Sequence, residues 1–436
     1  MNRAPGFPLR LYRSLSPALI RAAELAAPWM PKLAAGVAGR RGLMERLLAA
    51  APAVRGGVWF HVTSVGEYEQ ARPVIAAIRA RHPALPVAVT HFSPSGYEFA
   101  RRRPCADLHD YLPFDDAGDM KRLVAAWRPR LLVFVKFDCW PNQVLAADAA
   151  GVPVVLLAGS LQPGSARLRP AARPLFRDMF DRFAHIGVCT EEDRRRFVAD
   201  LGTGAPVTVT GDTRVEQVIL RYEASEDGAT CARLRQWGGR LLVLGSTWPP
   251  DENLWLPGLG RLLADFPDLR VVLTPHEPLP ERLQALATAL DGAAIPHVRL
   301  SALMEGGDVS PADPTRVALV DSIGVLAEIY RAGHLAYVGG SFTTGVHNTM
   351  EPAVARMPVL FGPRIGNAEE AGELVRRGAG FVLETPAAAD ARARELLGTA
   401  GELERRGELA RRVVLDQRGA TARSLAAIAP YLGAPA

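Results

Sequence analysis

The sequence predicts an α/β protein built from two doubly wound domains facing a central cleft, and three observations predict it. Apolar runs of four to six residues recur along the whole chain between longer amphipathic stretches. Runs that short are strands buried on both faces, and crossovers of helical length make their sheets parallel. At 436 residues and 48% hydrophobic, the chain exceeds one compact core and fits two Rossmann-like domains of about 200 residues each. The series of runs also divides at residues 211–228, a polar stretch without a strong apolar period that reads as a linker.

The first 50 residues carry Arg3, Arg10, Arg13, Arg21, Lys32, Arg40, Arg41 and Arg46 against only Glu24 and Glu45, a surface that meets something anionic. Within residues 11–33, Leu15, Leu19, Ala23, Ala26 and Met30 recur at three- and four-residue spacing, with Tyr12 and Trp29 near the ends. An interfacial membrane helix has that pattern, and so does a helix packed on the first domain. Pro28 and Pro31 are expected to bend or end it. Arg21 and Glu24 interrupt the best apolar stretch, so a spanning helix is not predicted and the association is peripheral or monotopic. No unbroken apolar stretch leads to a small-residue cleavage site, which argues against a removable signal. A formal charge of +5 with no Lys/Arg block interleaved with aromatics argues against nucleic acid. The four cysteines form no CxxC pair and the nine histidines no HExxH. Reduced thiols are expected, and neither a metal nor a cofactor is implied.

In the first half the apolar runs lie at residues 58–62, 87–90, 131–135, 152–157, 186–189 and 207–210. Ligands of parallel sheets bind at the carboxyl ends of the strands, so the loops there matter most. After the first run come Thr63, Ser64, Val65, Gly66 and Glu67. Gly66 lets a ligand approach the backbone, and Glu67 begins the next helix, held by amides while open to the cleft, which suits a general base. A first-turn glutamate that only offsets the helix dipole is the plain alternative. Lys136 and Asp138 follow the third run. A lysine ending a buried strand must reach water or meet an anion. Asp138 and a bound sugar carboxylate are both candidate partners.

The second half has runs at 241–244, 271–274, 317–320, 335–338, 359–361 and 380–383. Ser246 and Thr247 follow the first of these, His276 the second and Gly324 the third. The richest stretch follows the run 335–338, with Gly340 and Ser341 in a glycine turn and then His347, Asn348 and Glu351. It reads as strand, glycine turn, helix, strand. Unpaired amides at such a turn and the positive end of a helix would receive a phosphate or carboxylate. Glu351, one turn into the helix, would hold a ribose hydroxyl pair, and an anionic nucleotide uses both.

Taken together, Ser64 to Glu67, Trp140-Pro141-Asn142, Gly245-Ser246-Thr247, Gly339-Gly340-Ser341, His347-Asn348 with Glu351-Pro352, and Pro358-Val359 with Phe361-Gly362-Pro363 resemble the 3-deoxy-D-manno-octulosonic acid (Kdo) transferase family. The motifs run in order from about residue 58 to residue 385, and the family consists of glycosyltransferases of the GT-B type. The resemblance implies transfer of Kdo from CMP-Kdo to a lipid A precursor in lipopolysaccharide biosynthesis, with inversion and without a metal, at the cytoplasmic face of the inner membrane. It makes Glu67 the base. Ser246, Thr247, Gly340, Ser341 and Asn348 would hold the CMP phosphate, Glu351 the ribose, and Gly324 would lie under the cytosine. Ser64, Gly66, Lys136, Asp138, His276 and His347 complete the expected substrate-binding set. Residues 1–50 would be the membrane-associating segment, 51–215 the acceptor domain and 216–436 the CMP-sugar domain, with the last helix able to cross back. The chain also departs from the family. Lys136, Phe137, Asp138 and Cys139 stand where many members have Glu-Thr-Glu, and Pro275, His276 and Glu277 stand where Pro-Arg-His is usual. Ala158 to Gln162 replace Asn-Ala-Arg-Leu-Ser. These changes mark a variant branch, in which Lys136 is the cation available to replace a missing arginine.

Overall fold

The computed structural model describes residues 4–162, 164–306 and 315–434. The chain forms two compact units, Met1–Glu216 with Gly419–Ala436, and Gln217–Arg418.

The first unit holds a parallel sheet of β1 (Val58–Val62), β2 (Val87–His91), β3 (Leu108–Tyr111), β4 (Leu131–Val135), β5 (Val154–Gly159), β6 (His185–Val188) and β7 (Val207–Val209). Its order is β3-β2-β1-β4-β5-β6-β7. Strand β1 is buried throughout, and its alternation feeds two layers. Trp59 packs on one side with Trp127, Phe134 and Phe180, and Val58, Phe60 and Val62 pack on the other with Tyr68 and Ile75. The sequence did not predict β3. It is an edge strand whose residues Leu108, His109, Asp110 and Tyr111 offer no continuous apolar run. The chain returns to this unit at its end, where helix Ala420–Ile428 delivers Leu425 and Ile428 into the β1 layer, followed by Leu432.

The amphipathic N-terminal segment folds as helix Phe7–Ala26, a short turn Ala27–Trp29 and helix Pro31–Gly39. It breaks where Pro28 and Pro31 withdraw backbone donors. Its inner side is tied to the sheet layer through Asp115. Tyr12 Oη donates to that carboxylate at 3.0 Å, and the Asn142 and Gln143 amides do so at 2.9 and 3.0 Å. Asn142 Nδ2 donates to Ser16 Oγ at 3.0 Å. On the outer side Leu11, Leu15, Leu19, Leu25, Trp29 and Met30 are exposed. The packing alternative holds for the inner face, and the outer face is an exposed apolar surface. Among the described residues no helix is long and apolar enough to cross a membrane.

Burial shifts three histidines of this unit strongly. Burial lowers His61 and His91 to about 3 and His109 to about 4, and the rings of His91 and His109 stack at 5.6 Å. In the unfolded chain such groups titrate near ~6.5, so the fold keeps them neutral and the unfolded state binds more protons below that value. Their stabilising contribution is present above pH ~6.5 and is lost as pH falls toward 4. Asp115, raised to about 6 by burial, works in the opposite direction below pH 6. The denaturant midpoint should drop between pH 6.5 and 4.5, and a flat midpoint across that window would contradict this balance.

The second unit repeats the architecture with β8 (Arg240–Thr247), β9 (Leu269–Pro275), β10 (His297–Arg299), β11 (Val317–Leu319), β12 (Leu335–Val338), β13 (Val359–Phe361) and β14 (Gly380–Val382). Its order is β10-β11-β9-β8-β12-β13-β14. Strand β10 was not predicted, and it too is a half-polar edge strand. The expected linker at 211–228 is corrected. Residues Thr213–Ala224 form a helix that buries Val215, Val218 and Ile219, a three- and four-residue spacing hidden among arginines and glutamates. The order of strands reverses between β1 and β4 and between β8 and β12, and crevices at the carboxyl ends form at such reversals.

Candidate functional site

In the first unit the loops after β1 and β4 flank the reversal point. Ser64 Oγ accepts the Glu67 N–H and caps helix Val65–Arg81. The Glu67 carboxylate curls back and accepts the Thr63 N–H through Oε2. It is 3% exposed, so the expectation of a carboxylate open to the cleft is corrected. The burial has a chemical effect. Desolvation pushes Glu67 up to about 7, with the Asp138 charge adding to it and the Thr63 amide and Lys136 opposing it. Gly66 is not required by packing, since an added Cβ would meet nothing closer than Ser64 Oγ at 4.0 Å.

Lys136 sits at φ 71°, in the left-handed region, a conformation that costs a non-glycine residue of order 1 kcal/mol. Its ammonium lies 5.3 Å from the Phe137 ring. Asp138 is not its partner. Asp138 instead pairs with Arg167 at 2.9 Å, whose guanidinium lies over Phe137 at 4.6 Å. Lys136 makes no ion pair among the described residues and acts on Glu67 through space. Arg167, in the segment after β5, was missed because nothing in its local sequence marks it. Trp140 Nε1 donates to His61 Nε2 at 3.0 Å, and Asn142 is spent on the Asp115 network, so that motif is structural.

In the second unit one carboxylate ties two loops to strand β12. Asp251, 0% exposed, accepts the Trp248 N–H at 2.9 Å, the Gly340 N–H at 3.0 Å and the Tyr337 hydroxyl at 2.5 Å. The expectation of free outward amides in the glycine turn is therefore corrected for Gly340. The turn also closes on itself, with Thr343 and Gly345 N–H donating to Gly340 O. Gly340 is needed there, having φ 95° and leaving only 2.6 Å from a Cβ to Gly345 O. No helix starts at the turn. The next one, Met350–Val354, begins nine positions after Ser341. Asp251 was missed as a site residue, although its place in the first turn after Pro249 and Pro250 is a capping signature.

Around that hub, Trp248 Nε1 donates to His347 Nε2 at 3.0 Å, which leaves Nδ1 as the protonated nitrogen of a neutral ring. His347 stacks on His276 at 4.4 Å and 7°, and His276 on Trp248 at 4.9 Å. Burial, with His276 beside it, lowers the His347 pKa. Ser246, at φ 53°, bends the end of β8. Thr247 is buried, its hydroxyl donating to Glu252 at 3.0 Å, which removes it from the expected phosphate contacts. Ser341 Oγ is buried without a partner among the described residues, a costly state that a ligand oxygen would relieve. Asn348 Nδ2 donates to Glu351 Oε1 at 3.1 Å, so these two predicted residues meet. Burial raises the Glu351 pKa, with Arg221 and the Asn348 bond opposing. Glu351 lines a cavity of about 100 Å³ with Arg221, Tyr222, Ser225 and Arg331. Gly324 stands apart in an exposed turn at φ 91°, with nothing within 4 Å of where its Cβ would be. Among the described residues no group of three His, Cys, Asp or Glu is placed to hold a metal ion.

Comparison with known proteins adds four findings. A family model described as 3-deoxy-D-manno-octulosonic-acid transferase (kdotransferase) matches residues 36–217. The 3-deoxy-D-manno-octulosonic acid transferase of Bordetella pertussis is 30% identical over 411 residues, 91% of each chain. That of Haemophilus influenzae is 28% identical over 382 residues, 86% of this chain and 87% of the relative. Among solved structures, a UDP-N-acetylglucosamine 2-epimerase described as putative, from Listeria monocytogenes, superposes with a TM-score of 0.56 at 15% identity, covering 86% of this chain and 96% of that one. At that identity the likeness shows the fold, the two-unit α/β architecture of GT-B glycosyltransferases.

Proposed function

Since the chain belongs to the 3-deoxy-D-manno-octulosonic acid transferase family, we propose that it moves Kdo from CMP-Kdo to a lipid A precursor by one inverting, metal-independent displacement with Glu67 as base. The observation that carries the reading is a carboxyl at the β1–β4 reversal whose proton affinity burial has set at about 7, the value at which a base is both available and effective at neutral pH. The Glu67 carboxylate takes the proton of the acceptor hydroxyl. That oxygen attacks the anomeric carbon of Kdo from the face opposite CMP, and the bond to the phosphate oxygen breaks with its electron pair leaving on CMP. One displacement inverts the centre. With Oε2 held by the Thr63 amide, Oε1 is the oxygen that takes the proton.

A departing nucleoside monophosphate carries a single phosphate, which a few fixed donors can neutralise. Ser341, Asn348 and the Ser246 loop serve that role in this reading, and Glu351 in its cavity takes the ribose. The first unit binds the acceptor and the second binds CMP-Kdo. Lys136, without an ion pair among the described residues, faces a sugar carboxylate. The basic, apolar outer side of helix Phe7–Ala26 rests on the cytoplasmic leaflet of the inner membrane.

Mass measurement of a lipid A precursor incubated with CMP-Kdo tests the transfer, and no gain of Kdo mass would refute it. Two substitutions test the tuning of Glu67. Lys136→Met removes a charge that lowers the Glu67 pKa, so the acid limb of kcat/KM should move to higher pH. Asp138→Asn removes one that raises it, so the limb should move to lower pH. Parallel shifts in one direction would contradict the assignment.

A further inference from the structure

We propose that a groove on the first unit holds one fatty-acyl chain of an anionic phospholipid from the leaflet, a binding site apart from the transfer site. It rests on the membrane reading above. The groove, of about 220 Å³, lies where helix Phe7–Ala26 meets helices Ala117–Trp127 and Pro141–Ala149. Its walls are small and apolar, with Val124, Ala125, Leu145 and Ala146. The small side chains leave the space, and a hydrocarbon segment would bury these apolar walls; Asn142, the uncharged polar residue of the lining, has its side-chain N–H groups taken by Ser16 Oγ and Asp115 O.

Charge identifies the occupant. Two lining residues are the exposed cations Arg13 and Lys121, and neither makes an ion pair among the described residues. Arg10, Arg21 and Lys32 on the same N-terminal helices are likewise exposed and unpaired. Some nearby arginines are matched, as Arg122 is with Asp119 and Arg46 with Asp110. An apolar slot under unmatched cations, on a unit whose N-terminal helix also exposes Leu11, Leu15 and Leu19, fits an acyl tail below a phosphate head. A second copy of this chain would bring the same positive charge to the same face.

The test uses the full chain with vesicles containing phosphatidylglycerol that carries a photoreactive group in its tail. Crosslinks should fall on the helices containing Val124 and Ala146. Ala146→Trp fills the groove and should reduce that labelling at least fivefold, while vesicle co-sedimentation stays within twofold. Lys121→Glu, at an exposed position that leaves the core untouched, should weaken labelling and raise its salt sensitivity. Labelling confined to residues 7–26, or unchanged in Ala146→Trp, overturns the groove while leaving membrane association intact. Failure of the wild type to sediment with vesicles overturns the membrane reading itself. Concentration-dependent self-association that Ala146→Trp abolishes assigns the groove to a second copy and overturns the lipid.

Discussion

Glu67→Gln is expected to lower the rate of transfer by about 10²- to 10⁴-fold, the span over which a positioned general base contributes. The substitution preserves size and retains an amide oxygen that can accept the Thr63 N–H, so helix Val65–Arg81 and its Ser64 cap should persist and the melting temperature should change little. CMP binding should be unaffected. The wild-type rate should climb as pH rises through about 7, because burial holds the carboxyl protonated below that point and only the carboxylate can accept a proton. Rates measured by product mass in wild type and variant across pH 5.5 to 8.5 check both statements. An unchanged rate in Glu67→Gln removes the residue from the chemistry, and a rate that falls with pH through this window removes its role as base.

The other large effect belongs to Asp251, a residue with no place in the proposed proton transfer. Asp251→Ala strips the partner from the Trp248 amide, the Gly340 amide and the Tyr337 hydroxyl at once, all in the interior. Leaving several buried donors unsatisfied should cost about 3 kcal/mol or more, which for a unit of this size corresponds to a fall in melting temperature of about 6–12 °C. The glycine turn and the Trp248–His347 hydrogen bond should loosen together, so CMP affinity should fall as well. Asp251→Asn keeps two acceptor positions on a neutral group and should recover most of the stability. If Asp251→Ala bound CMP as tightly as the wild type, the carboxylate would be a local cap with no influence on the ligand seat.

The central strands were legible because burial on both faces forces runs of Val, Leu, Ile and Phe, as in β4 and β5. The edges were not, because β3 and β10 need cover on fewer sides and can afford His, Asp and Arg. Helix Thr213–Ala224 escaped notice since three buried aliphatics sat in a field of charge. The positions of the site loops followed from the strands, so Lys136 acts on Glu67 through space and Asn348 bonds to Glu351. What those side chains do locally was invisible. Local sequence does not show that Asp138 prefers Arg167, across 29 positions, or that Thr247 turns inward to Glu252. The free amides expected of the glycine turn depended on a carboxylate, Asp251, 89 positions away from Gly340.

The return of the chain at Gly419 governs how the protein is made. Leu425, Ile428 and Leu432 are synthesised only after the whole second unit, and they complete a layer begun by Val58 and Phe60. The Glu216 carboxylate, at the outgoing crossing, receives the Gly419 and Thr421 amides at 2.7 and 2.6 Å, which pins the tail only once it has emerged. During translation the leading unit therefore waits, with one face of its sheet incompletely covered, until the trailing unit has been produced. Loss of the tail to a premature stop would leave that face open and destine the product for aggregation or proteolysis, although every residue assigned to the transfer reaction would still be present.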